Sequence, residues 1–237
     1  MQIHEISQHN TKFWVSDDVY AEFSVKWFEQ VQYENNINHG SWKSGRQAIY
    51  RFTSLGSPMI LRHYWRGGMP SRVTKDQFLF KGFRHCRSYQ EMSLLNTMWQ
   101  AQLPVPKPIA AKCQRKGLFY RADLIMAEIR EVKTLAEILS QALLSESMWM
   151  NIGQVIHKFH KYGIEHVDLN ANNILINNNE EVFLIDFDRC KQRAYAASWA
   201  ERGLKRLERS LEKEKTRFPQ LRYSKDMFSI LRQGYVA

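Results

Sequence analysis

The side chains with the most informative spacing lie in the second half of the chain. His166, Asp168 and Asn173 form the pattern H-x-D-L-x-x-x-N, and a later apolar run ends at Asp186, 18 positions after Asp168. Asn173 and Asp186 offer the hard oxygen ligands that Mg²⁺ prefers. Asp168 offers a carboxylate that can orient an attacking hydroxyl. Together they indicate phosphoryl transfer from a nucleotide.

Each acidic motif also has an ordinary explanation, because Asp168 or Asp186 alone would be a turn or cap residue in most proteins. Both motifs in this order, at this interval and beside predicted strands are much less expected by chance. We therefore interpret them as parts of one site.

A β-hairpin must hold the two motifs together. Residues 173–176 and 182–185 are predicted as short strands around a turn of three asparagines. A capping box, Thr134 to Glu137, opens a predicted helix that runs to about Leu144. An apolar stripe over residues 148–159 predicts a second helix, and a last helix is expected over about residues 199–215.

The front half of the chain is rich in predicted strands. Residues 48–52 and 59–64 flank a Gly-Ser-Pro turn and predict a hairpin, and residues 122–129 predict a further strand. Residues 84–99 have apolar positions at helical spacing. The expected fold class is α+β, with a β-rich front half containing one helix and a mainly helical back half.

Composition narrows the class of protein. The 237 residues include 44% hydrophobic and 13% aromatic side chains, enough apolar surface to fold. No stretch reaches the roughly 18 to 20 uncharged apolar residues of a membrane span. The first ten residues are too polar for a secretory signal, which predicts a cytoplasmic protein. Cys86, Cys113 and Cys190 are odd in number and widely spaced, so we expect free thiols.

The chain resembles the lipopolysaccharide core kinase family, whose fold is protein-kinase-like. Five segments carry the resemblance: residues 61–68, 103–111, 167–175, 184–189 and 204–211. It implies two lobes, with an N-terminal segment and nucleotide-binding lobe in residues 1–127 and a catalytic lobe in residues 128–237.

The resemblance also implies ATP as phosphate donor, Mg²⁺ as cofactor, and the 3-deoxy-D-manno-octulosonic acid (Kdo) residue of a lipid A precursor as acceptor. The resemblance implies that Asp168 is the catalytic residue and that Asn173 and Asp186 are the ligands of the metal. His166 would brace the loop without acid-base work.

A kinase needs a cation on the nucleotide phosphates, held by a helix carboxylate. The candidates are Arg62 on a predicted strand and Glu91 on a predicted helix. Many relatives of the fold have lysine where Arg62 stands, so Lys81 is an alternative cation. Glu91 could instead close a capping box with Ser88.

The remaining nucleotide contacts rest on weaker patterns. Gly40 and Gly45 precede a strand and would permit close approach of the backbone to phosphate, although an ordinary hairpin turn is equally expected. The resemblance places the interlobe hinge at Glu128 and Ile129, whose backbone would bind adenine. Met126 would then line the pocket or simply fill core.

Positive charge points to an anionic partner. The chain has 34 Lys and Arg against 24 Asp and Glu, a net charge of +10, and residues 62–87 hold seven cations and one acid. This segment is either a solvated face or a surface for an acceptor at a membrane. The resemblance favours peripheral association with the cytoplasmic face of the inner membrane of Gram-negative bacteria.

Other functions remain open. A kinase for a different sugar, of core heptose or aminoglycoside type, would have the same lobes. A non-enzymatic module that binds anionic ligands is a second class. A protein kinase is disfavoured because no A-P-E element follows Asp186, and no nucleic-acid partner is expected. Aromatic residues before residue 40 would pack on the front lobe or contact lipid.

Overall fold

The computed structural model describes residues 1–29, 49–65 and 76–236, and within them the fold is α+β as predicted. The chain divides into two compact units. Unit 1 comprises Met1–Gln100 and Pro106–Glu128, and unit 2 comprises Ala101–Val105 and Ile129–Ala237.

Unit 1 is built on an antiparallel sheet. Its strands in the described residues are β1 (Ile3–Gln8), β2 (Thr11–Ser16), β3 (Ile49–Ser54), β4 (Ser57–His63), β5 (Phe78–Leu79), β6 (Pro108–Lys116) and β7 (Phe119–Ala127). The spatial order is β1-β2-β6-β7-β4-β3, and β5 pairs with β7. Helix α1 (Arg87–Gln100) packs on β6 and β7. The predicted β3–β4 hairpin, helix and β7 strand are confirmed.

The aromatic residues near the N-terminus belong to the core of unit 1. Phe13, Trp14, Trp27 and Phe28 are each at most 5% exposed. Phe13 and Phe28 lie in one cluster with Leu61 and Ile125 of the sheet. Of the two expectations for this region, packing is confirmed for these residues.

The expectation of three free cysteines is wrong. Cys86, just before α1, forms a disulfide with Cys113 on β6, and Cys190 is free. Spacing along the chain could not reveal the pair, because 27 residues separate the two cysteines and only the packing of α1 on the sheet brings them together.

Unit 2 is mainly helical. Its strands are β8 (Val132–Thr134), β9 (Ile164–Glu165), β10 (Ile174–Asn177), β11 (Val182–Leu184) and β12 (Lys191–Gln192). Its helices are α2 (Leu135–Gln141), α3 (Glu146–Lys161), α4 (Ala197–Arg217) and α5 (Lys225–Val236). The capping box at Thr134 and Glu137 is present. The β10–β11 hairpin is confirmed, whereas α5 was not predicted.

Helices α3 and α5 pack closely because each has a glycine at the contact. A Cβ atom on Gly153 would overlap the carbonyl oxygen of Leu231, and one on Gly234 would overlap that of Met150. Helix α5 was not predicted because it depends on this packing against α3, a contact between distant segments of the chain.

Candidate active site

The β10–β11 hairpin brings the two sequence motifs of unit 2 together. Ile174 pairs with Leu184, and the Ile185 N–H donates to the carbonyl oxygen of Asn173 at 3.1 Å. Asn173 therefore lies opposite Ile185, beside Asp186. The turn that closes the hairpin is held by Asn177, whose Oδ1 accepts from the N–H groups of Asn179 and Glu181.

The loop before β10 fixes the backbone around Asp168. The amides of Asn173 and Asn170 both donate to the carbonyl oxygen of Asp168, each at 2.9 Å. Asn170 Oδ1 also accepts from the Asn172 N–H at 2.9 Å. In these bonds Asn173 donates through Nδ2. Its Oδ1 atom, the candidate metal ligand, takes no part in them.

His166 braces both segments. Its Nε2 lies 2.9 Å from the carbonyl oxygen of Ile185, and its Nδ1 accepts from the Asp168 N–H at 3.2 Å. These partners assign a neutral ring protonated on Nε2. Burial lowers the pKa of His166 below its ordinary value. A neutral, fully bonded imidazole suits the bracing role that the resemblance implied.

Asp186 has an unusual backbone. Its φ of 63° lies in the left-handed region, which costs a non-glycine residue about 1 kcal/mol or more. The next residue, Phe187, is buried and stacks on Phe159 of α3. Packing of Phe187 and the β11 strand hold Asp186 in this conformation, and such strain often occurs at functional sites.

Arg206 of α4 contacts Asp168, which the sequence analysis did not anticipate. Its Nε and Nη2 atoms lie 3.1 and 2.5 Å from Asp168 Oδ1. Both side chains are about half exposed, at 49% and 47%. Arg206 lies in one of the five segments that carry the family resemblance, but a charged helix face gives no signal for which arginine faces the loop.

Arg62 and Glu91 form a buried ion pair in unit 1. Arg62 of β4 and Glu91 of α1 are 4% and 2% exposed, and Arg62 Nη2 bonds Glu91 Oε2. Tyr64 Oη donates to the same carboxylate oxygen at 2.7 Å. Ser88 Oγ donates instead to the carbonyl oxygen of Lys112. Glu91 is therefore the partner of the strand cation.

Burial distinguishes the two candidate cations, Arg62 and Lys81. Lys81 is exposed, so the cation that Glu91 holds is Arg62. Because Arg62 is buried, it is not part of a basic surface. The other cations of this segment are divided: Arg84 and Arg87 are described, whereas Arg66, Arg72 and Lys75 lie outside the described residues.

The residues of the expected hinge lie at the end of β7. Met126, in β7, is partly buried and pairs with Ile60 and Pro108. The Glu128 N–H donates to the carbonyl oxygen of Pro58, and its side chain bonds Arg51. Ile129 follows as the first residue of the main part of unit 2. Gly40 and Gly45 lie outside the described residues.

No helix in the described residues has the length and apolar character needed to span a membrane.

Known proteins resemble the chain over most of its length. Residues 38–228 match the model of the lipopolysaccharide kinase (Kdo/WaaP) family. A 3-deoxy-D-manno-octulosonic acid kinase from Photobacterium profundum is 34% identical over 231 residues, 98% of this chain and 97% of the relative. Proteins of the same name from Vibrio parahaemolyticus and Stenotrophomonas maltophilia are 36% and 42% identical. These two matches cover 90% and 72% of this chain, and 89% and 68% of the relatives.

Proposed function

Because the chain belongs to the lipopolysaccharide kinase (Kdo/WaaP) family, we propose that it transfers the γ-phosphate of ATP to a hydroxyl of Kdo. The enzyme is a phosphotransferase with an alcohol group as acceptor. The expected acceptor is the 4-OH of the Kdo residue on Kdo-lipid IVA, a step in lipopolysaccharide inner-core biosynthesis. The observation that carries the proposal is the placement of Asp168, Asn173 and Asp186 around one braced hairpin.

Asp168 is the proposed catalytic residue. Its backbone is fixed by Asn170 and Asn173, and its side chain remains half exposed. An exposed carboxylate on a fixed backbone can orient the acceptor hydroxyl and accept its proton. Since phosphoryl transfer has a loose transition state, positioning matters more than the strength of this base.

Asn173 and Asp186 are the proposed holders of Mg²⁺. One amide and one carboxylate suit an ion that takes its other oxygens from phosphate and water. The Asn173 amide nitrogen is bound to the carbonyl oxygen of Asp168, which leaves the amide oxygen for the metal. When bound, Mg²⁺ would neutralise charge on the transferred phosphoryl group.

Unit 1 carries the proposed nucleotide contacts. Arg62 would bind phosphate oxygens, and Glu91 and Tyr64 would hold its guanidinium in place. Met126, Glu128 and Ile129 would bind adenine. The Glu128 N–H already bonds Pro58, so the contacts of this residue would come from its carbonyl oxygen. The backbone at Gly40 and Gly45 would approach the phosphates.

Peripheral contact with the cytoplasmic face of the inner membrane is part of the proposal, because a lipid-linked acceptor lies there. The net charge of +10 supports attraction to an anionic leaflet.

The test is transfer of radiolabelled γ-phosphate from ATP and Mg²⁺ to Kdo-bearing lipid A precursor. Parallel reactions contain free Kdo, a heptose, an aminoglycoside and a protein substrate. Asp168→Ala is the inactive variant, and Asp226→Ala, at an exposed acid on α5, is its control. We expect label on the Kdo lipid with wild type and Asp226→Ala only.

Other outcomes separate the alternatives. Label on another sugar alone would keep the kinase and reject the Kdo acceptor. A folded wild-type protein that transfers no phosphate would favour a binding module. Label on the Kdo lipid with Asp168→Ala would reject the catalytic assignment.

A further inference from the structure

Exposed cations lie along one face of α4. Between residues 201 and 215 the exposed positions of this helix are Arg202, Lys205, Arg206, Arg209 and Lys213. Apart from the adjacent Lys205 and Arg206, they follow one another at intervals of three or four residues, which places them on one side of the helix. We name these five residues the α4 basic stripe. It extends along about 16 Å of helix.

The acids of α4 lie away from this face. Glu201 makes two hydrogen bonds with Arg232 of α5, and Glu208 also lies near Arg232. Glu212 pairs with Lys225 at 3.3 Å, and Glu214 is buried. Because α5 engages Glu201, Glu208 and Glu212, and Glu214 is buried, the acids of α4 neutralise the stripe only in part.

The cations of the stripe differ in their own partners. Arg202 lies 3.5 Å from Glu165, and Lys205 lies 3.8 Å from Glu201. Arg209 and Lys213 have no acidic partner within 4.0 Å among the described residues. These two side chains are therefore available to an external anion.

Arg206 connects the stripe to the catalytic loop. It belongs to the stripe and bonds the carboxylate of Asp168. A phosphate layer that contacts Arg202 or Arg209, one helical turn to either side, lies close to Asp168. The stripe and the catalytic carboxylate are parts of the same surface of unit 2.

We propose that the α4 basic stripe docks the enzyme on the anionic phospholipid headgroups of the membrane that carries its acceptor. This inference rests on the proposed function, which supplies the membrane-borne acceptor. A straight row of long, flexible cations matches a plane of phosphates. The apolar side chains Leu204, Leu207 and Leu211 are buried in the protein, so binding at α4 is electrostatic and involves no insertion of this helix.

The experiment measures co-sedimentation with two kinds of vesicle. One contains phosphatidylcholine with about 30% phosphatidylglycerol, an anionic lipid that gives the surface a negative potential. The other contains phosphatidylcholine alone. The variant Arg209→Gln/Lys213→Gln removes the two cations without acidic partners. The control Lys158→Gln/Lys161→Gln removes two exposed cations of α3. Melting curves establish that all three proteins are folded.

We expect the wild type and the control to bind the anionic vesicles equally, and the stripe variant to bind roughly tenfold or more weakly. Wild-type binding should weaken as salt concentration rises. Equal binding by the stripe variant and the wild type overturns the inference. The inference is also overturned if the wild type does not bind the anionic vesicles. The same holds if it binds phosphatidylcholine vesicles as strongly as the anionic ones.

Transfer to the Kdo-lipid acceptor in neutral detergent micelles, measured in parallel with wild type, separates the two proposals. Activity there without stripe-dependent vesicle binding rejects only the docking surface. Stripe-dependent binding without transfer to any acceptor rejects the proposed function and, with it, the role of the stripe in presenting a substrate.

Discussion

The guanidinium of Arg206 donates two hydrogen bonds to a single oxygen, Oδ1, of Asp168. Within the described part of the chain, Asp168 Oδ2 accepts no hydrogen bond. The arginine therefore fixes the rotation of the carboxylate and leaves one oxygen for a hydroxyl. This arrangement makes Arg206 a positioning residue for Asp168.

Replacing Arg206 should impair turnover more than substrate binding. We expect Arg206→Ala to lower kcat about 10- to 100-fold with little change in the KM for ATP. Without Arg206, the Asp168 carboxylate rotates freely and is seldom oriented toward the acceptor hydroxyl. Arg206→Lys should restore part of the rate, since it keeps one donor and the charge. The assay is steady-state transfer to the Kdo-lipid acceptor in neutral detergent micelles, with Arg222→Ala, at an exposed arginine of the same unit, as control. A kcat unchanged in Arg206→Ala would reject the positioning role.

The Arg62 and Glu91 pair should have separable structural and functional roles. Glu91→Ala leaves a buried guanidinium without its carboxylate and should lower the free energy of unfolding by about 3 to 5 kcal/mol. The double variant Arg62→Met/Glu91→Leu should recover most of that loss and still lack activity, because no cation remains for phosphate. Urea denaturation and ATP turnover measure the two effects.

The surface pair of Lys107 and Asp18 supplies the control for this comparison. Asp18→Asn should change the free energy of unfolding by less than about 1 kcal/mol. An active double variant would show that Arg62 is not needed on the phosphates.

Asp186 should be needed for activity and not for folding. Glycine tolerates a φ of 63°, so Asp186→Gly should keep the free energy of unfolding within about 1 kcal/mol of wild type. Loss of the proposed metal ligand should lower kcat by roughly 10²- to 10³-fold. The measurements are urea denaturation and transfer at increasing Mg²⁺. Severe destabilisation would instead identify the carboxylate as structural.

Thiol titration of the denatured protein tests the disulfide between Cys86 and Cys113. Without reductant we expect one thiol per chain, from Cys190, and three after reduction. Reduction should lower the free energy of unfolding by about 2 to 4 kcal/mol, given a loop of 27 residues. Cys190→Ser should then have no thiol before reduction. Three thiols without reductant would contradict the pairing.

Acid should destabilise unit 2 through His160. Burial lowers its pKa from 6.5 to about 4, with smaller contributions from the neighbouring His157 and His166. The unfolded chain then binds the proton more readily than the folded chain, so protonation of His160 favours unfolding. The contribution of neutral His160 to stability is full above pH 6.5 and is lost as the pH falls toward 4. The loss amounts to about 3 kcal/mol.

Urea denaturation between about pH 7 and pH 4.5, followed by tryptophan fluorescence, measures this dependence. His160→Gln should flatten the curve and leave the part of the slope that is due to His166, whose pKa is also lowered by burial. His85→Gln, at an exposed histidine of unit 1, should leave the slope unchanged. An unaltered slope in His160→Gln would exclude His160 as the cause.

Local patterns predicted those parts of the molecule whose causes are local. The β10–β11 hairpin follows from two short apolar runs around an asparagine turn, and the Thr134 capping box needs only residues 134–137. The pair of Arg62 and Glu91 joins a strand and a helix 29 residues apart, so no local pattern indicates it. It was predicted from the resemblance instead.

The features that sequence analysis missed depend on tertiary packing. Arg206 reaches Asp168 across 38 residues, and α4 presents several arginines of similar context. The disulfide and α5 depend likewise on contacts between distant segments. The N-terminal β1–β2 hairpin has polar residues on both strands, and its register with β6 decides which aromatic side chains face the core.

Residues Ala101–Val105 belong to unit 2, although the chain on both sides belongs to unit 1. The carbonyl oxygen of Pro104 accepts a hydrogen bond from Leu184, 80 residues later. No single cut of the chain therefore yields either unit whole, and a fragment that starts at Ile129 lacks this partner of β11. During synthesis on the ribosome, residues 101–105 can form this contact only after β11 has emerged. Completion of unit 2 is therefore a late event in folding.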